Sequence, residues 1–216
     1  MRIIALAAFV AVIAAPAYAD VTVGSTDSGN CYPFSCNDKG AIDYYEIYSS
    51  TAFSGVTSFD TITFQQWPSY PGFMLSGNYQ ISFATTTAAL NTDPSGSLSN
   101  VASFFNGSLA PSQFSIMGSA YTYDPSWGNL VMHVVTTGQP LDPNPGTGYL
   151  YADYTGATVS RSYTLSDGTT FSGNGALVTT FSSNAPEPAS WALMLGGFGL
   201  VGGAMRARRK TAVSFG

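Results

Sequence analysis

The middle of the chain alternates. In Tyr79-Gln80-Ile81-Ser82-Phe83 and in Thr61-Ile62-Thr63-Phe64-Gln65, apolar and polar side chains exchange at every step, and residues 149–154 do so in part. Successive side chains of a strand point to opposite faces, so a period of two predicts strands with one buried face. Residues 44–49, 114–123, 129–136, 160–165 and 176–181 are further strand candidates. Between them lie turn-forming clusters of Pro, Gly, Asp, Asn and Ser at 68–72, 93–96, 124–129, 142–148 and 166–168. Residues 98–105 read differently, as one or two turns of helix. About eight short strands separated by loops predict an all-β body, an antiparallel β-sandwich of jelly-roll-like character. No long amphipathic helix is patterned, which disfavours α/β, and no internal repeat is present, which disfavours a solenoid.

The two ends of the chain break this pattern. Residues 1–19 combine a basic start at Arg2, an apolar run over 3–15 and the small-x-small sequence Ala17-Tyr18-Ala19. That is the layout of a secretory signal peptide, and the mature chain is expected to begin at Asp20 in the periplasm. At the other end, Pro186-Glu187-Pro188 is stiff and extended, because each proline fixes its own φ and biases the residue before it. Residues 189–205 then carry no charge, and Arg206, Arg208, Arg209 and Lys210 close the stretch. Seventeen uncharged residues at ~1.5 Å each span ~25 Å against a ~30 Å hydrocarbon core. The expectation is one short transmembrane helix over 189–205, with Trp191 at the interface and the basic block in the cytoplasm. Five glycines (196, 197, 199, 202, 203) speak against the alternative, a buried helix of a soluble domain.

Residues 184–210 resemble the PEP-CTERM protein-sorting signal of Gram-negative bacteria. The resemblance is carried by Pro186, Glu187 and Pro188, by Trp191 and the residues after it, by the glycine-rich run, and by Arg206, Arg208 and Arg209. Residues 211–216 extend a little further past the basic block than is usual for the family. The resemblance implies an exosortase partner, a membrane-embedded transpeptidase-like enzyme that recognises Pro-Glu-Pro and removes the tail. It also implies transient residence in the inner membrane, delivery to the cell surface or extracellular matrix, and an association with exopolysaccharide and biofilm. Three blocks of the body, at residues 44–53, 123–130 and 159–161, also look like uncharacterised β-sandwich regions of other PEP-CTERM proteins. The expected domains are therefore a signal peptide (1–19), a β-sandwich (20–183), the sorting signal (184–210) and a short tail (211–216).

Composition narrows what the body can do. It holds two basic residues, Lys39 and Arg161, against eleven acidic ones, a net charge of −9 within a whole-chain value of −5. An acidic body without a basic patch argues against nucleic acid and anionic lipid. Aromatic residues make up 14% of the chain, too many for a disordered segment. The pair Cys31 and Cys36 encloses four residues including Pro33, and in an oxidising compartment is expected to form a local disulfide.

Candidate chemistry is sparse. His133 is the single histidine and lies inside a strand pattern, so a structural role is expected. No nucleophile elbow, zinc helix or phosphate loop is present, and no catalytic or metal-binding residue is assigned. A glycosidase would need two converging carboxylates. Asp43, Glu46, Asp60, Asp124, Asp142 and Asp153 are available, as in any acidic domain. The loop 141–146, with Asp142 and Asn144, offers oxygens to Ca²⁺, although turn chemistry explains it equally. Arg161 reads as half of a cross-strand ion pair, or as a group for an anion or sugar. Trp67, Trp127 and exposed tyrosines are the residues on which sugar rings would stack. The body is expected to be a structural or adhesive matrix protein, with a carbohydrate-binding module and a secreted polysaccharide hydrolase as alternatives.

Overall fold

In the computed structural model, residues 20–36, 43–139, 148–183 and 188–208 are described. The segments expected to form a signal peptide (1–19), a calcium-binding loop (141–146) and a short tail (211–216) fall outside them. The described residues contain thirteen strands: β1 Val21–Val23, β2 Ser28–Asn30, β3 Asp43–Tyr48, β4 Thr57–Phe64, β5 Asn78–Thr86, β6 Leu98–Ser108, β7 Ser115–Tyr123, β8 Asn129–Thr137, β9 Leu150–Asp153, β10 Val159–Thr164, β11 Thr170–Gly173, β12 Ala176–Leu177 and β13 Thr179–Ser182. Every pairing between these strands is antiparallel. They form a six-stranded sheet ordered β11-β10-β3-β8-β5-β6, a four-stranded sheet ordered β1-β13-β4-β7, and a small sheet ordered β12-β9-β2. The body is all-β, as the alternation predicts.

The two larger sheets bury their facing sides in one core. Tyr79, Ile81 and Phe83 of β5 and Leu130, Met132 and Val134 of β8 point inward at alternate positions. Phe59 of β4 meets Phe83 edge-on at 4.8 Å, and Tyr48 of β3 meets Phe181 of β13 edge-on at 5.0 Å. On β4 the inward parity changes between Phe59 and Ile62. The register against β7 shifts there, two steps on β4 from Phe59 to Thr61 facing four on β7 from Tyr121 to Met117, and Phe59, Ile62 and Phe64 are all buried in the core.

Cys31 and Cys36 form a disulfide with their Cα atoms 5.2 Å apart. The loop they close drives Phe34 fully into the core, between Phe64 at 4.9 Å and Tyr79 at 5.5 Å. The bridge therefore holds a plug at one end of the space between the sheets.

Two expectations need correction. Residues 98–105 are not helical but belong to β6, the edge strand of the six-stranded sheet. Leu98, Val101, Phe104 and Phe105 are spaced as on a helix because two register shifts against β5 interrupt the strand's alternation. The tail does form a helix, α1 Pro188–Arg208, over the predicted run. However, no helix among the described residues is long and apolar enough to cross a membrane, so the transmembrane assignment of 189–205 is not supported. The same five glycines that argue against a soluble helix also dilute its hydropathy. Body and tail helix belong to separate compact units.

Candidate functional site

The sorting residues lie at the tail. Pro188 opens α1, Trp191 lies within it, and Arg206 and Arg208 fall in its last turn. Pro186, Glu187 and Arg209 are outside the described residues. Leu195, Phe198, Leu200, Val201 and Met205 are all exposed, so α1 carries apolar side chains around its circumference rather than along one stripe.

In the body, the inner face of β3 carries Tyr44, Glu46 and Tyr48, three positions that strand parity puts on one side. Glu46 is 0% exposed. Its carboxylate accepts hydrogen bonds from Tyr44 Oη at 2.7 Å, Tyr48 Oη at 2.6 Å and the main-chain N–H of Leu177. Burial raises its pKa from 4.5 to about 7, against the opposing pull of those donors and of Arg161. Burial and the carboxylate beside them also hold both tyrosine hydroxyls well above their ordinary value.

Arg161 of β10 lies directly opposite Glu46 in register. It does not close the expected cross-strand ion pair. Its Nε donates to the Asn174 carbonyl at 3.1 Å, and its guanidinium sits over the rings of Tyr163 and Phe171 at 5.5 and 5.4 Å. Its Nη1 is buried without a hydrogen-bond partner.

His133 is on the opposite, outer face of the six-stranded sheet. Its Nε2 is 2.5 Å from Asp43 Oδ1, and its ring stacks on Tyr45 at 4.3 Å. Burial is the main cause that pushes the Tyr45 hydroxyl up to about 12, with the Asp43 charge second. A groove of about 240 Å³ opens beside the imidazole, lined by Gln80, Ser82, Val101, Ser103 and Val135. Ser82 is the cross-strand neighbour of His133, so Asp43, His133 and Ser82 follow one another across adjacent strands in the order of a hydrolase triad. The serine hydroxyl and the imidazole are not hydrogen-bonded, and the histidine is held as the partner of a carboxylate and an aromatic ring.

The remaining acids organise turns. Asp153 is buried and accepts from Ser25 N, Thr155 N, Thr155 Oγ1, Gly156 N and Thr158 Oγ1. Burial pushes its carboxyl up, but the donors together bring it below the usual aspartate value. Asp124 caps the short helix Pro125–Trp127 by accepting from Ser126 N, which lowers its pKa, and Gly128 follows at φ +105°. Among the described residues, no group of three or more His, Cys, Asp or Glu side chains is placed to hold a metal ion.

Of the proposed sugar platforms, Trp127 is half-exposed beside that cap. Trp67 is partly buried and stacks with Tyr70 at 5.3 Å and against Tyr149 at 5.8 Å. In the sequence Glu46 is one of six available acids. The signal that could have singled it out is Tyr-x-Glu-x-Tyr on a strand, which puts two hydroxyls beside one carboxylate.

No curated protein and no solved structure matches the chain. One family model does, over residues 184–210, and it describes the PEP-CTERM protein-sorting motif. The match covers the tail alone, so it says nothing of the body's resemblance to other such proteins. Its tail therefore carries a PEP-CTERM protein-sorting motif, the mark of an exported protein addressed to exosortase.

Proposed function

We propose that this is a surface or exopolysaccharide-matrix protein whose body serves a structural or adhesive role and not a catalytic one. The sorting motif at 184–210 is the observation that carries this reading. In it, exosortase acts on the tail at the inner membrane while the basic end remains cytoplasmic, and the β body then leaves for the cell surface or matrix. The uncharged stretch 189–205 of α1, with exposed apolar side chains around the helix, suits such a segment, because these groups require an apolar environment. A non-catalytic body is supported by where its carboxylates are spent. Glu46 and Asp153 are consumed by internal donors, Asp124 caps a turn, and Asp43 is tied to His133.

Cell fractionation tests the sorting half. Replacing Glu187, or deleting residues 206–210, should leave unprocessed protein in the inner-membrane fraction. A wild-type protein that keeps its tail there, in cells with active exosortase, overturns it. The non-catalytic half fails if the protein releases reducing ends from the exopolysaccharide of its own strain and changing one pair of aspartates abolishes the release.

A further inference from the structure

The loop between β4 and β5 holds aromatic rings at the surface by an elaborate arrangement. Trp67 N donates to Tyr149 O at 2.7 Å, Tyr149 N donates to Tyr70 O at 3.0 Å, and Tyr70 N donates back to Trp67 O at 3.1 Å. Each ring thus stands on backbone that is itself hydrogen-bonded. Two glycines permit the packing. A Cβ at Gly29 would lie 2.3 Å from the Trp67 ring, and one at Gly148, whose φ is +141°, would lie 2.7 Å from Gly72 Cα. One side of the indole is therefore filled by Gly29, and Tyr70 stacks on it at an interplanar angle of 29°. Tyr149 stands 5.3 Å from Tyr70, tilted by 56°.

Tyr70 remains 51% exposed and Phe73, three residues on, 57% exposed. The result is a pre-organised corner, with the outer side of Tyr70 as a floor and Tyr149 as a tilted wall.

Its chemistry selects among the ligands that stack on aromatic rings. No charged residue occurs between Asp60 and Asp93, so the loop itself offers nothing to an ion. A nucleobase brings phosphates, which need a cationic groove; the body carries net −9. The same charge repels a polyuronate. A cation cage needs several free ring faces, and Trp67 has its own taken up. What remains is a neutral sugar, whose weakly positive C–H face matches the negative face of an aromatic ring. Ser69, the exposed chain neighbour of Tyr70, supplies a hydroxyl next to that ring. We propose that Tyr70 and Tyr149 form a binding face for neutral pyranoside chains, which deepens the matrix reading above and rests on it.

The test uses the processed, exported protein with dextran, amorphous cellulose and polygalacturonate as probes, in affinity electrophoresis and pull-down. The expected result is retention by at least one neutral glucan and not by polygalacturonate. Tyr70→Ala should weaken that retention about tenfold, while Tyr70→Phe keeps it. Because Tyr70 is half in solvent, neither change should alter the fold, and unchanged circular dichroism checks this. Trp127→Ala, at an exposed ring elsewhere, should bind as wild type. Failure of the wild type to bind either glucan, preference for polygalacturonate, or undiminished binding by Tyr70→Ala overturns the proposal. Fractionation of the same cells separates the two readings. Processed protein that binds no glucan refutes the binding face alone, whereas unprocessed wild-type protein refutes the sorting reading.

Discussion

Glu46 makes the stability of this protein depend on pH in an unusual direction. Burial lifts its pKa from 4.5 to about 7. Between those values the folded protein holds a proton that the unfolded chain has released. The number of bound protons is therefore larger in the folded state, and stability falls as pH rises. The contribution is fully present below about pH 4.5, declines through the window, and is gone above about pH 7. At about 1.4 kcal/mol per pH unit, that window is worth about 3 kcal/mol. For a body of this size this corresponds to roughly 6–12 °C in Tm. Because Glu46 is fully buried, solvent screening does not reduce the figure. The perturbation is Glu46→Gln, which is neutral at every pH and leaves an acceptor for one tyrosine. Thermal melts at pH 5 and pH 8, followed by near-ultraviolet circular dichroism, give the difference between the two conditions for each protein. Wild type should lose about 2–3 kcal/mol more than the variant between pH 5 and pH 8, since the first part of the window lies below pH 5. Equal losses in the two proteins would refute the argument that Glu46 is held neutral by its surroundings.

Phe34→Ala should cost about 3–5 kcal/mol, as expected for a large aromatic removed from a packed core. Replacing both cysteines by serine should cost only about 2 kcal/mol, because the closed loop is short; urea denaturation showing the reverse order would mean that the bridge, and not the ring, holds the end of the core. Asp153 should stabilise the fold above the ordinary aspartate range, with that contribution lost as pH falls through its lowered pKa. Asp153→Asn, with one acceptor oxygen in place of two, should cost about 1–3 kcal/mol at pH 7 and flatten the acid limb of the stability curve, a result that acid titration of both proteins would deny if their limbs coincide.

What could be read in advance depended on how far each feature reaches along the chain. β5 was legible because residues 79–83 alternate apolar and polar side chains, and β8 because a short, mostly apolar run, residues 130–135, follows directly on a turn. β1, β2 and β11 were not, since strands of three or four residues are defined by the strand they pair with more than by their own composition. β6 was misread because an exposed edge strand with two bulges loses the period that would identify it. The Asp124 turn was readable to the residue, being complete within six positions: carboxylate cap, proline, then a glycine at positive φ. The surroundings of Glu46 were out of reach. Two of its donors are two residues away, but the third is the N–H of Leu177, 131 positions later. Asp43 and His133 are likewise 90 residues apart and meet only because β3 and β8 pair in one particular register.

The same distinction separates the two halves of this protein's biology. A sorting signal is presented to its enzyme as a short segment, so its information is linear: a rigid acidic-proline site, an uncharged helix and a basic end, in order. Sequence alone was therefore enough to find it. A binding face on a sheet or loop is assembled from positions that the topology brings together. Trp67 and Tyr70 are neighbours in sequence, but Gly29, which leaves room for the indole, and Tyr149, which walls the corner, come from 38 residues before Trp67 and 82 residues after it. None of these four is unusual where it stands. Their meaning lies in the juxtaposition, and a body whose ligand is read by such juxtapositions can share a tail with other exported proteins without sharing what it binds.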